Sequence, residues 1–503
     1  MSESNSVPSI RIRAVNEQPV RQGGSFVLYW MIASRRLEWN FGLQWAVEQA
    51  RDLGLPLVIL EALRVGYPWA SDRLHRFVLD GMAEHARRLE DSKVLYHPYV
   101  EPEEGAGKGL LAALAESAAV VVTDDYPAFF LPRMVQAAGQ QLKVRLEAVD
   151  SNGLLPLRAA DKTFSRAFDF RRYLQKELPQ HLGAFPRPYP LQGQALEALE
   201  SLPKKVLERW PAAGEDLLAG SEGALAKLPI DHSVPVAPAR GGAEAARETL
   251  ERFLEERLDR YGEGRNHPDD DAASELSPYL HFGHLSAHQT FVEVMEREGW
   301  NPSKLGHSTS GSRTGWWGTG ESTESFLDEL ITWREVGFNM CWRTDEYDRY
   351  ESLPDWALRT LEEHAGDERP YVYTLQEWER AETHDELWNA AQRQLVLTGR
   401  MHNYLRMLWG KKILHWSESP RAALDIMIEL NNKYALDGRD PNSYSGIFWV
   451  LGRYDRAWGP EREVFGKIRY MTSKSTRSKL KLKEYLRRWG PEGEAAERQQ
   501  SLF

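Results

Sequence analysis

From Ser25 onward the chain alternates two patterns. Short apolar runs, SFVLYWM, PLVILEAL, KVLYHPYV, AVVVTD and LKVRLEAV, have the length of strands and are rich in β-branched and aromatic residues. Between them, near residues 38–53, 70–90, 107–118 and 130–140, apolar positions recur with helical spacing. Strands apolar on both faces, each followed by an amphipathic helix, predict a parallel sheet covered on both sides. Residues 24–150 are therefore expected to form an α/β domain, doubly wound and Rossmann-like. Residues 1–23 are polar, close on Gly23-Gly24, and predict an arm with one short edge segment.

The pattern then changes. Residues 151–245 hold a mixed segment, TFSRAFDFRRYLQKELPQHL, followed by FPRPYPL and LPIDHSVPVAPARGG, and predict a connector because Pro and Gly clusters mark loops and boundaries. The stretch AEAARETLERFLEERLDRYGEGRN predicts one amphipathic helix ending at Tyr261-Gly262. No strand-like alternation recurs after it, so residues 246–490 are expected to be all-α, with residues 491–503 as a tail. Within this domain, residues 299–324 are rich in Gly, Ser and Thr and predict a flexible, exposed insertion. Its Trp316-Trp317 pair is expected to pack locally.

Composition adds two points. The chain has 503 residues, 42% hydrophobic and 27% charged, which fits a soluble protein of more than one domain. Its 18 Trp are unusual, and such rings offer large flat surfaces for stacking. The net charge of −11 argues against a uniformly basic nucleic-acid binder, yet Arg453–Trp489 holds 12 Lys or Arg against 4 Asp or Glu. A solvated face explains many such runs; with Trp449 and Trp458 beside it, this one reads as a phosphate-contacting strip. A single cysteine, Cys341, rules out an intrachain disulfide framework and fits a reducing compartment. No signal-peptide pattern and no long apolar span are seen, so a cytoplasmic protein is expected.

The stretch from Thr383 to Trp449 concentrates candidate chemistry. A break at Thr398-Gly399 separates two helices, because Gly is costly inside a helix and common just past its end. Trp388 lies on the first. On the second, Trp409 and Trp416 share a face two turns apart, roughly 10 Å along the axis. Asn403, Arg406 and Trp409 also share a side, an unusual set for a purely apolar stripe. Arg406 requires an anionic partner when buried: Asp437, Asp440 or a bound anionic group. Ser277 reads as a helix N-cap with Pro278 in the first turn, leaving amides that suit a pyrophosphate. Gly105–Gly109 imitates a phosphate loop, but Pro102 stands where Gly is needed and no Ser or Thr follows Lys108, so an ordinary helix-entry loop is expected.

The strings THDELWNAAQ, TGRMHNYLRMLW, LDGRDPNSYSGIFW and DRAWGPEREVFGKIRYM, with ELSPYLHFGHLS and FLDELITWRE upstream, resemble the photolyase and cryptochrome family, and within it the class II cyclobutane pyrimidine dimer photolyases. The resemblance implies light-driven repair of such dimers in UV-damaged DNA by electron transfer from reduced FAD to a flipped-out lesion. It implies a cofactor site from Tyr261, Arg265, the turn Ala273, Ser274, Glu275, Leu276 and Ser277, and from Asn403, Arg406, Asn431, Asp437, Gly438, Asp440 and Asn442. Ala273 replaces the Thr more usual at that turn. Asn431 matches the residue facing flavin N5, and Trp409, Trp388 and Trp416 match a photoreduction chain, proximal, middle and distal. Glu335 matches the carboxyl that contacts the dimer and supplies a proton, a role that burial favours. Trp449, Arg456, Lys467 and Arg469, with Glu335, are expected to meet DNA; no metal ligands are assigned.

In such proteins the α/β domain houses an antenna, a folate or a deazaflavin, near the strand ends. Here Ser34-Arg35-Arg36 and Thr123-Asp124-Asp125-Tyr126-Pro127 depart from the family's usual strings at that place. A monomer without an obligate protein partner is expected. The alternative is a cryptochrome-like flavin photoreceptor without repair activity, and a non-catalytic nucleic-acid binder is a third reading that would not need the tryptophan spacing.

Overall fold

The computed structural model describes residues 6–503, the side chain of Gln500 excepted. Packing divides them into two compact units. The first takes the described residues up to Ala159 together with Glu177–Leu250 and Leu276–Arg297; the second takes Ala160–Lys176, Glu251–Glu275 and Glu298–Phe503. These bounds cut across the sequence-expected connector, most of which packs with the α/β unit. Among the described residues no helix is long and apolar enough to cross a membrane.

The first unit is built on six strands: β1 Ile12–Ala14, β2 Phe26–Met31, β3 Leu57–Leu63, β4 Leu95–Val100, β5 Ala118–Asp124 and β6 Leu146–Val149. Their order is β1-β6-β5-β2-β3-β4. Only β1 runs antiparallel, pairing Ile12 with Val149 at the edge, and the other neighbours are parallel. The expected arm thus supplies an edge strand; residues 1–5 lie outside the described residues. Helices α1 Phe41–Leu53, α2 Asp72–Leu89, α3 Leu110–Ala115 and α4 Leu131–Gln141 fill the predicted intervals.

The strand pleat sorts β2 to two faces. Phe26, Leu28 and Trp30 pack in one core with Leu110, Leu114, Val135 and Ala138 of α3 and α4. Val27, Tyr29 and Met31 pack in another with Phe41, Leu43 and Val47 of α1. This is why the strand reads as a continuous apolar run. Gly109, with φ +95°, stands at the entry to α3, the ordinary loop expected there.

Between β2 and β5 the strand order reverses, and there Asp124 ties the loop after β2 to the end of β5. Its Oδ2 accepts the backbone N–H groups of Ile32 at 2.9 Å, Ala33 at 2.8 Å and Ser34 at 3.0 Å, and Oδ1 accepts the Tyr29 hydroxyl at 2.7 Å. Next along the sheet, buried Glu61 accepts the Tyr96 hydroxyl at 2.7 Å and meets His85 Nδ1 at 2.8 Å and Arg35 Nη1 at 3.5 Å. Burial by itself would raise this carboxyl; His85, Arg35 and Tyr96 outweigh it and hold it below the usual carboxylate range.

Helix α5, Ser277–Phe282, also belongs to the first unit and corrects one expectation. Leu276 occupies the cap position, with no side-chain cap bond, and Ser277 is already the first helical residue. The expected single helix before Tyr261 is likewise corrected. Ala243–Arg252 is α-helical, Phe253–Arg257 widens into a π turn, Leu258–Arg260 tightens, and Tyr261–Gly264 is a further short turn.

The second unit is helical; no strand follows Val149 among the described residues. The helices that carry its site are α6 Arg334–Arg343, α7 Glu386–Thr398, α8 Asn403–Trp416, α9 Pro420–Tyr434 and α10 Pro441–Val450, and α11 Glu494–Gln500 lies in the expected tail. Gly399, with φ +71°, ends α7 as predicted. Within residues 299–324 the two tryptophans pack locally. Trp316 and Trp317 are buried, and Glu324 accepts the N–H groups of Gly315 at 2.5 Å, Trp317 at 3.1 Å and Gly318 at 3.2 Å. One carboxylate thus folds the loop onto its own tryptophans.

Replacing Asp124 with Ala removes the acceptor of three amides and a buried hydroxyl, and should destabilise the α/β unit by about 3 kcal/mol. Urea unfolding reads the loss, and amide exchange at Ile32, Ala33 and Ser34 should accelerate together.

Candidate functional site

α7 and α8 are joined through indoles. Asp385 caps α7 by accepting the Trp388 N–H at 3.0 Å. Trp388, fully buried, donates its indole N–H to the Trp409 carbonyl at 3.1 Å, and Trp409 donates its own to Gln392 Oε1 at 2.9 Å. The Trp388 and Trp409 rings lie 6.4 Å apart and 7° from parallel. The step toward Trp416 passes through a residue that sequence reasoning missed. Trp378 sits 4.7 Å from Trp388 and 6.1 Å from Trp416, 12° from parallel with the latter. It is fully buried, and its indole N–H has no hydrogen-bond partner. Its signal in the sequence is the capping box of Thr374 and Glu377, which sets a short helix, Leu375–Glu379, with Trp378 on it.

Around Trp416 the surroundings turn polar. His384 is 4.5 Å away, Tyr373 6.1 Å and Tyr371 6.4 Å, and the Lys412 ammonium lies 4.7 Å over the ring. Tyr373 and His384 are hydrogen-bonded at 2.5 Å, and Tyr371 is exposed. Four indoles therefore run from the interior of the second unit to an aromatic cluster that reaches solvent.

One turn before Trp409 on α8, Arg406 meets Asp437 through two bonds, 2.9 and 3.2 Å. Of the partners open in the sequence, the structure selects Asp437. Asn431, buried at the end of α9, donates to Ser443 Oγ at 2.7 Å and Asn432 Oδ1 at 3.2 Å. The turn between α9 and α10 folds back tightly here. A Cβ on Gly438 would lie 2.7 Å from the Asn431 carbonyl oxygen, and Asn432 Oδ1 accepts the Arg439 N–H at 2.9 Å. Asp440 caps α10 by accepting the Asn442 N–H at 2.8 Å. Asn403 and Asn442 are exposed at the starts of α8 and α10. Asn432 and Ser443 are the supporting residues missed in sequence.

Tyr261 is buried against Phe253 and Phe326, with the Arg265 guanidinium over its ring at 5.7 Å; burial pushes its hydroxyl pKa up. Arg265 pairs with Glu329 at 2.5 Å. Beside Arg265, burial lowers His402 to about 4, and its buried Nδ1 has no hydrogen-bond partner. At the expected turn, Arg257 donates to the Ala273 carbonyl at 3.2 Å, and Arg257 and Arg400 each reach Glu275 at 3.1 Å. Ser274 is half-buried there. The remaining expected turn residues, Leu276 and Ser277, fall in the first unit. Glu335 is buried in the first turn of α6, directly after a π turn at Asp328–Trp333.

A ladder of cations and rings follows α10. Arg469 is clamped by Asp455 at 2.7 and 2.9 Å and lies 5.6 Å over Trp449 and 4.1 Å over Trp458; Arg456 lies 4.5 Å over the other indole, Trp458. On Trp449 sits a second cation, the buried Lys411, 4.8 Å from the ring and donating to the Val450 carbonyl at 2.6 Å. Burial lowers the Lys411 ammonium to about 7; Asp455 partly opposes this. Much of the basic strip is internally paired: Lys467 with Glu461, Arg477 with Glu386, Lys481 with Asp270 and Arg487 with Glu484. Arg456, Arg462, Lys474, Lys479, Lys483 and Arg488 are exposed and lie outside these pairs.

The chain is 35% identical over 479 residues to a deoxyribodipyrimidine photo-lyase of Methanothermobacter thermautotrophicus, covering 95% of this chain and 97% of that protein. It is 33% identical over 511 residues to the deoxyribodipyrimidine photo-lyase of Potorous tridactylus, covering 97% of this chain and 88% of the other. Among solved structures, a class III photolyase from Agrobacterium tumefaciens matches with a TM-score of 0.64 at 18% identity, over 93% of this chain and 87% of that one. An archaeal photolyase from Sulfolobus tokodaii, solved with two FAD molecules, matches with a TM-score of 0.63 at 14% identity, over 95% and 93%. These structures share the fold, an α/β part followed by helices. No protein-family model matches the chain. Relatives a third identical along nearly the whole length place it: the chain belongs to the deoxyribodipyrimidine photo-lyase family.

Lys411 makes stability pH-dependent with a defined sign. Its folded pKa lies below the unfolded one, so the unfolded chain holds the extra proton between about 7 and about 10.4, and this group's contribution to stability rises with pH across that window. Lys411→Met should stabilise the protein most below pH 7 and lose that advantage as pH rises, read as the difference between the two urea midpoints.

Proposed function

We propose that the protein is a class II photolyase that reverses cyclobutane pyrimidine dimers in UV-damaged DNA under light, with FAD held in the second unit. The observation that carries this is the run Trp409, Trp388, Trp378, Trp416, which begins one helical turn from the Arg406–Asp437 pair. The donor set suits a flavin. The unpartnered Nδ1 of His402 is a buried polar atom awaiting a partner, the ion pair keeps local charge balanced, and the amide of Asn431 can give or accept a hydrogen bond without carrying charge. Tyr261, Arg265, Ala273, Ser274, Glu275, Asn403, Arg406, Asn431, Asp437, Gly438, Asp440 and Asn442, all of the second unit, would hold it.

Reduced FAD, when bound, supplies the photoexcited electron that opens the cyclobutane ring and takes it back. The protein binds, orients and insulates. Trp449, stiffened by Lys411 and Arg469, stacks the everted lesion, and Arg456, Lys467 and Arg469 hold the opened duplex. Glu335, a buried carboxyl, holds a proton for the lesion. With the cofactor bound, the four indoles would serve as a relay for single electrons between it and the Trp416, Tyr371 and Tyr373 cluster. The α/β domain of residues 24–150 is assigned a deazaflavin or folate antenna. The protein works as a cytoplasmic or nucleoid-associated monomer.

The test is loss of dimers from an irradiated oligonucleotide, expected under blue light and absent in the dark; a flavin-bearing preparation without this loss overturns the reading in favour of a photoreceptor. Glu335→Ala should retain the flavin absorption and lose about tenfold or more in repair yield. Trp378→Phe should slow photoreduction severalfold, followed as indole radical absorption, while enzyme reduced beforehand with dithionite repairs at the parental rate.

A further inference from the structure

Residues Gln499-Gln500-Ser501-Leu502-Phe503 form a segment that the light chemistry does not use. Its side chains carry no charge, in a chain that is 27% charged, and it pairs a glutamine with a Leu-Phe dipeptide three and four positions later. The structure leaves the apolar end available. Phe503 is 45% exposed and Leu502 half-buried, and the contact over the Phe503 ring is the Arg380 guanidinium at 5.8 Å. The amide end is lightly held: Gln499 is buried, but its side-chain bond to the Glu379 carbonyl spans 3.4 Å. Upstream, α11 has seven residues and packs through the small side chains of Ala495 and Ala496. A helix this short has little stability of its own, and its last turn can open at small cost.

An uncharged peptide with a carboxamide followed by adjacent Leu and Phe suits one recognition geometry. The carboxamide hydrogen-bonds at the rim of a shallow apolar cleft and the two side chains fill it, with no charge to desolvate. Ring-shaped sliding clamps of bacterial DNA replication present such clefts to extended peptides. We propose that residues 499–503 are a docking peptide for that clamp, seating the protein on a ring that already encircles DNA. The proposal goes beyond the repair reading and does not depend on it, because docking needs neither light nor flavin.

The experiment is binding of the full-length chain to purified bacterial sliding clamp, immobilised for surface plasmon resonance in the dark. Wild type should bind with a Kd on the order of micromolar, as expected of a short peptide anchor. The double variant L502A/F503A should weaken binding about 30-fold or more and Q499A about tenfold, with melting curves unchanged. A synthetic peptide of residues 494–503 should compete with the full-length chain. Absence of binding at about 0.1 mM, or binding that the double variant leaves intact, overturns the proposal. Repair assayed separately keeps its own outcome.

Discussion

The second unit depends on keeping large aromatic rings out of water while satisfying their N–H groups. Trp388 and Trp409 solve this by using each other's helices: one donates to a backbone carbonyl of α8, the other to a glutamine of α7. Each bond costs little once made and would be expensive to leave unmade. The two helices are thereby fixed in register, and the ring spacing becomes a property of the backbone. Trp378 is the exception, a buried indole whose N–H is unmatched.

Charge is handled by the same economy of partners. Arg406 is neutralised by Asp437 and Arg469 by Asp455, each through a two-point contact that fixes direction as well as distance. Lys411 is the contrast, an ammonium held by one carbonyl and the Trp449 ring, with the charge itself disfavoured. The cationic ladder thus has a rigid outer rung at Arg469 and a titratable inner one.

Much of this was legible in the sequence. The strands of the α/β unit were readable because burial on both faces removes polar residues from the run, and the helix break at Gly399 because left-handed backbone favours glycine. Arg406 announced a carboxylate by its setting, though the choice between Asp437 and Asp440 depended on how the turn folds back. Other features were not encoded locally. Trp378 matters through ring distances to residues ten and thirty-eight positions away. The cap at Leu276 is set by backbone angles rather than by the neighbouring hydroxyl. The π turns at Phe253 and Asp328 shift a helical face without changing composition. The insertion looked solvated because Gly, Ser and Thr dominate it, while the residue that organises it, Glu324, has the commonest of surface side chains.

The crowding at Gly438 sets a limit on how this site can change. A single added carbon would collide with the Asn431 carbonyl oxygen at 2.7 Å, and the Asn432 Cα and the Ala435 carbonyl oxygen follow at 3.0 Å. The amide at 431 is therefore anchored by a neighbour that cannot grow, whereas the exposed asparagines at 403 and 442 can be exchanged with little steric consequence. Substitution therefore has its freedom at the rim of this turn, while the centre can change only if several residues change together.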